Sequence, residues 1–395
     1  MKKIFLCLFT ITFLVFSCSK SEPTVVTPDE VVEEEPPVVE PPKEEEPPKE
    51  EEPAFCDRTF TDYDAKPSDF ALLSTVDGKF IRNNTDQVQA ALDICGEGGV
   101  VWLEDKVWLI DRDLVPKFNN TSIVGGTLKR ADALTSVLTV AVNVGDTEIN
   151  VENSDDFYPG LILTISDGEN YGDTMYPQVF VATVSPGKVT LGSAVTKAFT
   201  PGATVFNVST LMKINEDTVD DTVISNVIFD GNVANNNHTY DWRLNKGLAL
   251  SGTNQLVECS QFINSPCESI IGHNVTVRNT SGENLFGSFF HCSASESGTI
   301  LLENCTTNDT NKATVEQNGH NEGTLTLSLN SGNLTVRDSE FTLGAAAWGS
   351  VGEDDCQIVA TNTTFTDHAR KYFDGDSPPA PCFDDTGVTY TNTPD

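Results

Sequence analysis

Between Asn235 and Lys246 the chain reads Asn-Asn-Asn-His-Thr-Tyr-Asp-Trp-Arg-Leu-Asn-Lys, a short run that gathers a His, a Tyr, a Trp and two cations. Trp242 offers a flat face on which a sugar ring can stack. Arg243 can hold a carboxylate or sulfate through two parallel hydrogen bonds. Lys246, Tyr240 or His238 can remove a proton if burial tunes its pKa toward neutrality. Asp241 and Asn245 add hydrogen-bonding groups for a ligand. A base and a carboxylate-neutralising cation in one segment suit proton abstraction followed by β-elimination. A second polar segment contributes His320 and Glu322, and Glu268, Glu283 and His291 lie between the two. Only five His occur in the chain, and His238, His291 and His320 are three of them.

The acidic run Gly352-Glu353-Asp354-Asp355-Cys356 offers paired carboxylates for acid–base work or for a cation such as Ca²⁺. It resembles the Gly-x-Asp-Asp-Cys element of the polygalacturonase family. The order differs, however. Gly272-His273 precedes Asp354 and Asp355, where that family places its Gly-His element after the acidic pair, and no Arg-Ile-Lys element follows. A solvated acidic turn or a cation site is the expectation here.

These residues must be carried by a repeat. After residue 220 a pattern recurs with an apolar residue at −5, Asn, Asp or Cys at −3, and an often aromatic residue at 0. Ile224/Asn226/Phe229, Val257/Cys259/Phe262, Val336/Asp338/Phe341 and Ala360/Asn362/Phe365 fit it, with weaker copies ending at Gly282 and Thr307. The short steps between zero positions suit one three-sided coil of a solenoid. Apolar positions then point inward, and Asn at a corner bonds its neighbours above and below. The two long steps hold extra segments, Gly231–Lys246 and Asn308–Gly323. Both leave the coil near the zero position, so both should emerge at one corner, three coils or about 14 Å apart. Two such walls frame a groove that suits an extended polymer.

Thr85 to Ile94 reads as a short helix capped by Thr85, with Val88, Ala91 and Leu92 on one face. Gly96, Gly98 and Gly99 stop it, and Val100 to Ile110 has strand composition. This order resembles the opening segment of the pectate-lyase-like right-handed parallel β-helix proteins, in which the helix plugs one end of the solenoid. The resemblance implies an all-β right-handed parallel β-helix solenoid over residues 55–395, with an N-terminal capping helix. Short strands between turn residues from Leu138 to Val208 indicate a small antiparallel β-rich insert, about 131–210, between flanks that read as coils.

The N-terminus fixes the expected compartment. Met1-Lys2-Lys3 and the apolar run Ile4–Phe16 make residues 1–17 a signal peptide, too short to span a membrane. Leu14-Val-Phe-Ser-Cys18 resembles a bacterial lipobox, which makes Cys18 the lipidated first residue of the mature protein. Residues 18–54 are a Glu/Pro-rich tether that cannot form a core. The resulting expectation is a monomer on the bacterial outer membrane, facing the cell surface and touching the membrane through its lipid only. The eight Cys beyond Cys18 favour disulfides, with Cys56–Cys95 and Cys356–Cys382 as candidate staples.

The formal charge is −35. Residues 19–54 carry 13 acidic and 3 Lys residues, and Lys2 and Lys3 oppose them, which leaves −27 on residues 55–395. Such a surface repels nucleic acid. It also opposes a polyanionic glycan unless a bound cation such as Ca²⁺ intervenes. The fold resemblance and the loop chemistry together lead to the expectation of a polysaccharide lyase acting on a uronate-containing glycan. A glycoside hydrolase on the same fold and a non-catalytic, adhesin-like glycan-binding protein are the alternatives.

Overall fold

The computed structural model describes residues 56, 60–71, 84–167, 179–214, 219–236, 245–292, 298–310, 325–329, 332–344, 346–351, 356–372 and 383–394. Three long sheets run through them. The first has nine strands, from Val100–Trp102 to Phe383–Asp384, and the second has nine, from Val107–Ile110 to Val388–Thr391. The third has six, from Met212–Ile214 to Ala346–Val351. The strand pairs within each are parallel, and each coil visits the three sheets in turn. This is a right-handed parallel β-helix, the hand that crossovers between parallel strands adopt almost always.

The repeat read from sequence is the stacking register itself. Ile224, Val257, Val277, Leu302, Val336 and Ala360 sit one above another in the first sheet. Phe229, Phe262, Gly282, Thr307, Phe341 and Phe365 do so in the second, and Tyr390 extends that column. The rings of Phe229 and Phe262 stack with centroids 4.7 Å apart, and those of Phe341 and Phe365 at 5.1 Å. Gly282 breaks the column because another ring needs the space. A Cβ at Gly282 would lie 2.9 Å from the ring of Phe289. That ring bridges the gap, 6.5 Å from Phe262 and 6.1 Å from Phe341. Burying each such ring is worth roughly 1.5–3 kcal/mol.

The −3 residues form the corner between the first and second sheets. Asn226, Cys259, Asn279, Asn304, Asp338 and Asn362 all have φ between 47° and 58°. This is the left-handed region, which short polar side chains tolerate best among non-glycine residues. Their side chains also form a ladder: Asn304 donates to Asn279, and Asn362 donates to Asp338 at 2.7 Å. Cys259 occupies one rung and uses its side chain differently, as half of a disulfide to Cys56.

That bridge corrects the expected Cys56–Cys95 pairing. Cys95 lies at the C-terminal end of the helix, and its thiol is buried and donates to the Leu92 carbonyl at 3.3 Å. Cys267, Cys292 and Cys305 are buried thiols as well, so half of the eight Cys are core residues. Cys382 lies outside the described residues, so the Cys356–Cys382 pairing does too.

The helix spans Thr85–Ile94 and turns Val88, Ala91 and Leu92 into the solenoid core. Thr85 is its first residue, not its cap. The cap position belongs to Asn84, and Thr85 Oγ1 donates to the Asp111 carboxylate at 2.8 Å. A long-range partner therefore claimed the hydroxyl expected to serve the helix end.

Six strands between Thr135 and Val208 form a separate antiparallel sheet with its own core around Phe157, Leu163, Ile165, Val189 and Val205. It departs after Thr127–Arg130 of the second sheet and returns before Met212–Ile214 of the third. It thus occupies the second-to-third-sheet corner of its coil.

Candidate functional site

Two further long excursions of the solenoid leave at that same corner. One coil after the insert, the chain leaves the second sheet at Asp230 and re-enters the third at Leu248. Three coils further on it leaves at Thr310 and re-enters at Leu325. The two intervening corners are short, Asn264–Ser269 and Phe286–Phe289. Residues 237–244 and 311–324 are outside the described set, and with them His238, Tyr240, Asp241, Trp242, Arg243, His320 and Glu322. Asp354, Asp355 and Cys18 are outside it too.

The described ends of the first excursion hold a built site. The Arg130 guanidinium donates from Nη1 to Ser209 Oγ at 2.6 Å and to Asn245 Oδ1 at 3.1 Å, and from Nη2 to the Lys246 carbonyl at 2.8 Å. Asn245 Oδ1 also accepts from the Ser209 amide at 3.1 Å. Asn245 is buried and sits at φ 56°, and its side-chain oxygen ties Arg130 to the Ser209 backbone. Burial pulls Arg130 down to about 10, opposed by the nearby Asp113 carboxylate. Burial raises the Asp113 carboxyl in turn, against the Thr210 amide, Lys213 and Arg130.

The Lys246 carbonyl is held by this clamp, and the ammonium of the same residue is near enough to Cys267 and His291 to act on both electrostatically. His291 projects outward from Phe290–Cys292 of the third sheet, in register with Ile271 below and Ser328 above. Its Nδ1 lies 4.0 Å from Glu268 Oε1, with 13% of the His291 side chain and 4% of the Glu268 side chain exposed. Burial, helped by the charge of Lys246, pushes His291 down to about 4. The imidazole is therefore neutral at neutral pH. The Cys267 thiol donates to Glu268 Oε2 at 3.2 Å and is held well above its usual range by burial and by that carboxylate.

Glu283, by contrast, is exposed on the second sheet in register with Ile263 and Asn308, and does not share the third-sheet face with His291. Among the described residues no group of three or more His, Cys, Asp or Glu side chains converges as a metal site would require. Sequence reasoning missed Arg130 and Cys267. The available signal for Arg130 was its position: in Thr127–Arg130 it shares the inward parity of Leu128, where a cation is out of place without partners.

No family model and no curated protein matches the chain. Among solved structures it is similar to an exopolygalacturonase from Thermotoga maritima, at 13% identity over 73% of this chain, with a TM-score of 0.40. The chain spans 64% of that enzyme's length. It is similar to an endo-xylogalacturonan hydrolase from Aspergillus tubingensis, at 13% identity over 84% of this chain and 92% of that one, with a TM-score of 0.33. A third likeness is to the Gp54 tailspike of Acinetobacter baumannii bacteriophage AP22, solved with a capsular saccharide. There the identity is 9% over 82% of this chain and 79% of that one, with a TM-score of 0.21. Likenesses this distant assign no chemistry. The class, a right-handed parallel β-helix, rests on the chain's own sheets.

Proposed function

We propose that the chain acts on an extended polysaccharide laid across the third sheet, and that it cleaves a uronate-containing glycan by β-elimination. The observation that carries this reading is a neutral imidazole, His291, beside an ammonium, Lys246, on the outward face where the solenoid's excursions concentrate. Elimination takes the proton from C5 of a 4-linked uronate and expels the 4-oxygen, leaving a C4–C5 double bond. Lys246 offsets the carboxylate charge that grows as the proton leaves. A carboxylate bound against Lys246 also cancels one of the two effects that depress His291, which makes the imidazole a stronger base in the complex than in the free protein. Arg243, Tyr240 and His238 belong to the same excursion and complete the proposed site, with Trp242 as a stacking face.

Hydrolysis is the second reading, and Glu268 favours it. Glycoside hydrolysis uses two carboxyl groups about 5–9.5 Å apart, and Glu268 is a buried carboxyl beside His291. Asp354 and Asp355 are the proposed source of a second. Incubation with alginate, pectate and ulvan separates the readings. A rise in absorbance at 235 nm supports elimination, and new reducing ends without that rise support hydrolysis. Binding without products over days supports a glycan-binding surface protein. A Ca²⁺ ion, for which Asp354 and Asp355 are the proposed ligands, would relieve the repulsion of −27 charges; activity with and without chelator tests this. The proposed location is the outer-membrane surface, through a lipid on Cys18, and metabolic labelling with a palmitate analogue in wild type and Cys18→Ser checks it.

A further inference from the structure

A cleft of about 350 Å³ separates the insert from the first coils. Asp86 and Gln89 come from the helix, Arg112 and Lys117 from the segment after Val107–Ile110, and Ile162 and Phe180 from the insert. Its volume is that of a small-ligand pocket, about 300–1,000 Å³.

The cations of this cleft are already matched. Arg112 Nη2 meets Asp86 Oδ1 at 2.8 Å and Nε meets Asp111 at 3.3 Å, while Lys117 meets Asp93 at 2.7 Å. The Arg112 guanidinium also lies 5.7 Å from the centre of the Tyr158 ring. An anionic ligand would have to break these pairs and would meet the Asp86 and Asp113 carboxylates. Among the described residues Asp86 is matched only by Arg112 at Oδ1, and 24% of its side chain is exposed, so its carboxylate edge can accept a further donor from the cleft although Oδ2 itself is closed to solvent. Across the cleft Phe180 is 58% exposed although it is a large apolar ring, and Ile162 lies beside it. Gly160, at φ +91°, supplies a backbone conformation that other residues rarely adopt, where the insert faces Arg112.

An uncharged ligand with an apolar C–H face and hydroxyl donors on its rim satisfies both walls at once. We infer that this cleft is a binding subsite for a neutral pyranose residue, which stacks on Phe180 and donates a hydroxyl to Asp86. Asp113 also lines the cleft and accepts from the Thr210 amide at 2.7 Å, two residues before the third sheet begins. The subsite therefore adjoins the sheet that carries His291. It stands on the cleft alone and holds whether or not Lys246, Glu268 and His291 turn a glycan over.

Ligand-observed NMR titrations of the full chain with cellobiose, xylobiose and digalacturonate test it. At least one neutral disaccharide should bind saturably, and Phe180→Ala and Asp86→Asn should each weaken that binding at least ~10-fold. Phe180 is exposed, so its variant should keep the wild-type circular dichroism. Absence of saturable binding by either neutral disaccharide overturns the inference. So does neutral binding that is equal in wild type and both cleft variants, or tighter binding of digalacturonate that Phe180→Ala abolishes. Digalacturonate binding that survives Lys246→Ala counts against the proposed catalytic reading and leaves this one intact.

Discussion

Two corners of the same solenoid turn with the same left-handed residues and differ in what they carry. Between the first and second sheets each turn is made by one left-handed residue, and two pairs of their side chains, Asn304 with Asn279 and Asn362 with Asp338, bond along the stack. The chain spends almost nothing on that corner, and nothing protrudes. Between the second and third sheets the insert and both long excursions depart, and the residues that return carry a buried cation clamp, a neutral His and a carboxylate. The ladder corner holds its residues by contacts between adjacent coils. The other corner has such a ladder as well, Asn284 donating to Asn264 at 2.8 Å and Asn264 to Asp230 at 3.1 Å, and adds Arg130, whose partners lie 79 to 116 residues away. Both edges of the repeat are stapled between coils, and the reactive groups gather on only one of them.

The sharpest way to break this division is to remove the clamp. Arg130→Ala leaves Ser209, Asn245 and the Lys246 carbonyl without their buried donor. It should cost about 3–5 kcal/mol, read as a lower midpoint in urea unfolding. The second test is titration. Because the folded-state pKa of His291 lies near 4, below its ordinary 6.5, the unfolded chain takes up a proton at this residue between those values and the folded protein does not. Stability should therefore be full above pH 6.5 and fall as pH drops toward 4, by about 3 kcal/mol. Calorimetry across that range should show the slope reduced in His291→Gln.

Smaller effects sharpen the contrast. Lys246→Ala should leave the melting temperature nearly unchanged, since the ammonium is not part of the core, yet lower glycan turnover or binding at least ~10-fold, or about 1.4 kcal/mol. At the ladder corner, Asn362→Ala should do the reverse. It loses the bond to Asp338 and replaces a residue that tolerates the left-handed region with one that lacks a short polar side chain to compensate it, at a cost of about 1 kcal/mol or a little more, with activity unchanged. If Asn362→Ala reduces turnover as much as Lys246→Ala does, the separation of the two edges fails.

The solenoid was legible because each coil restates the same constraint. An apolar −5, a short polar −3 and a bulky 0 sufficed to align six coils residue for residue, including Gly282 and Thr307, where the pattern weakens. The exception at Gly282 has its reason in Phe289, seven residues on, and no periodicity announces such a rescue. Contacts that skip coils stayed hidden. Thr85 answers to Asp111, Cys56 to Cys259 and Arg130 to Asn245, and each choice was made by proximity in three dimensions among several chemically equal options. His291 and Lys246 were visible as reactive types near the right corner. The neutrality of the imidazole follows from burial on an outward face, which composition does not encode.

The Cys56–Cys259 bridge also determines how the molecule would bear a pulling force. Cys259 sits between Gln255–Glu258 and Gln261–Ile263, well inside the stack of coils, while Cys56 precedes the helix and every strand. Tension applied to the chain ahead of Cys56 crosses the sulfur bond and enters the solenoid at Cys259. The helix, the first coils, the insert and its cleft all lie in the covalent loop between the two Cys, outside the load path. Under oxidising conditions that whole region hangs slack while the coils beyond it carry the strain; reduction would instead let the same pull peel the segment at Ala65 away from Val101 first.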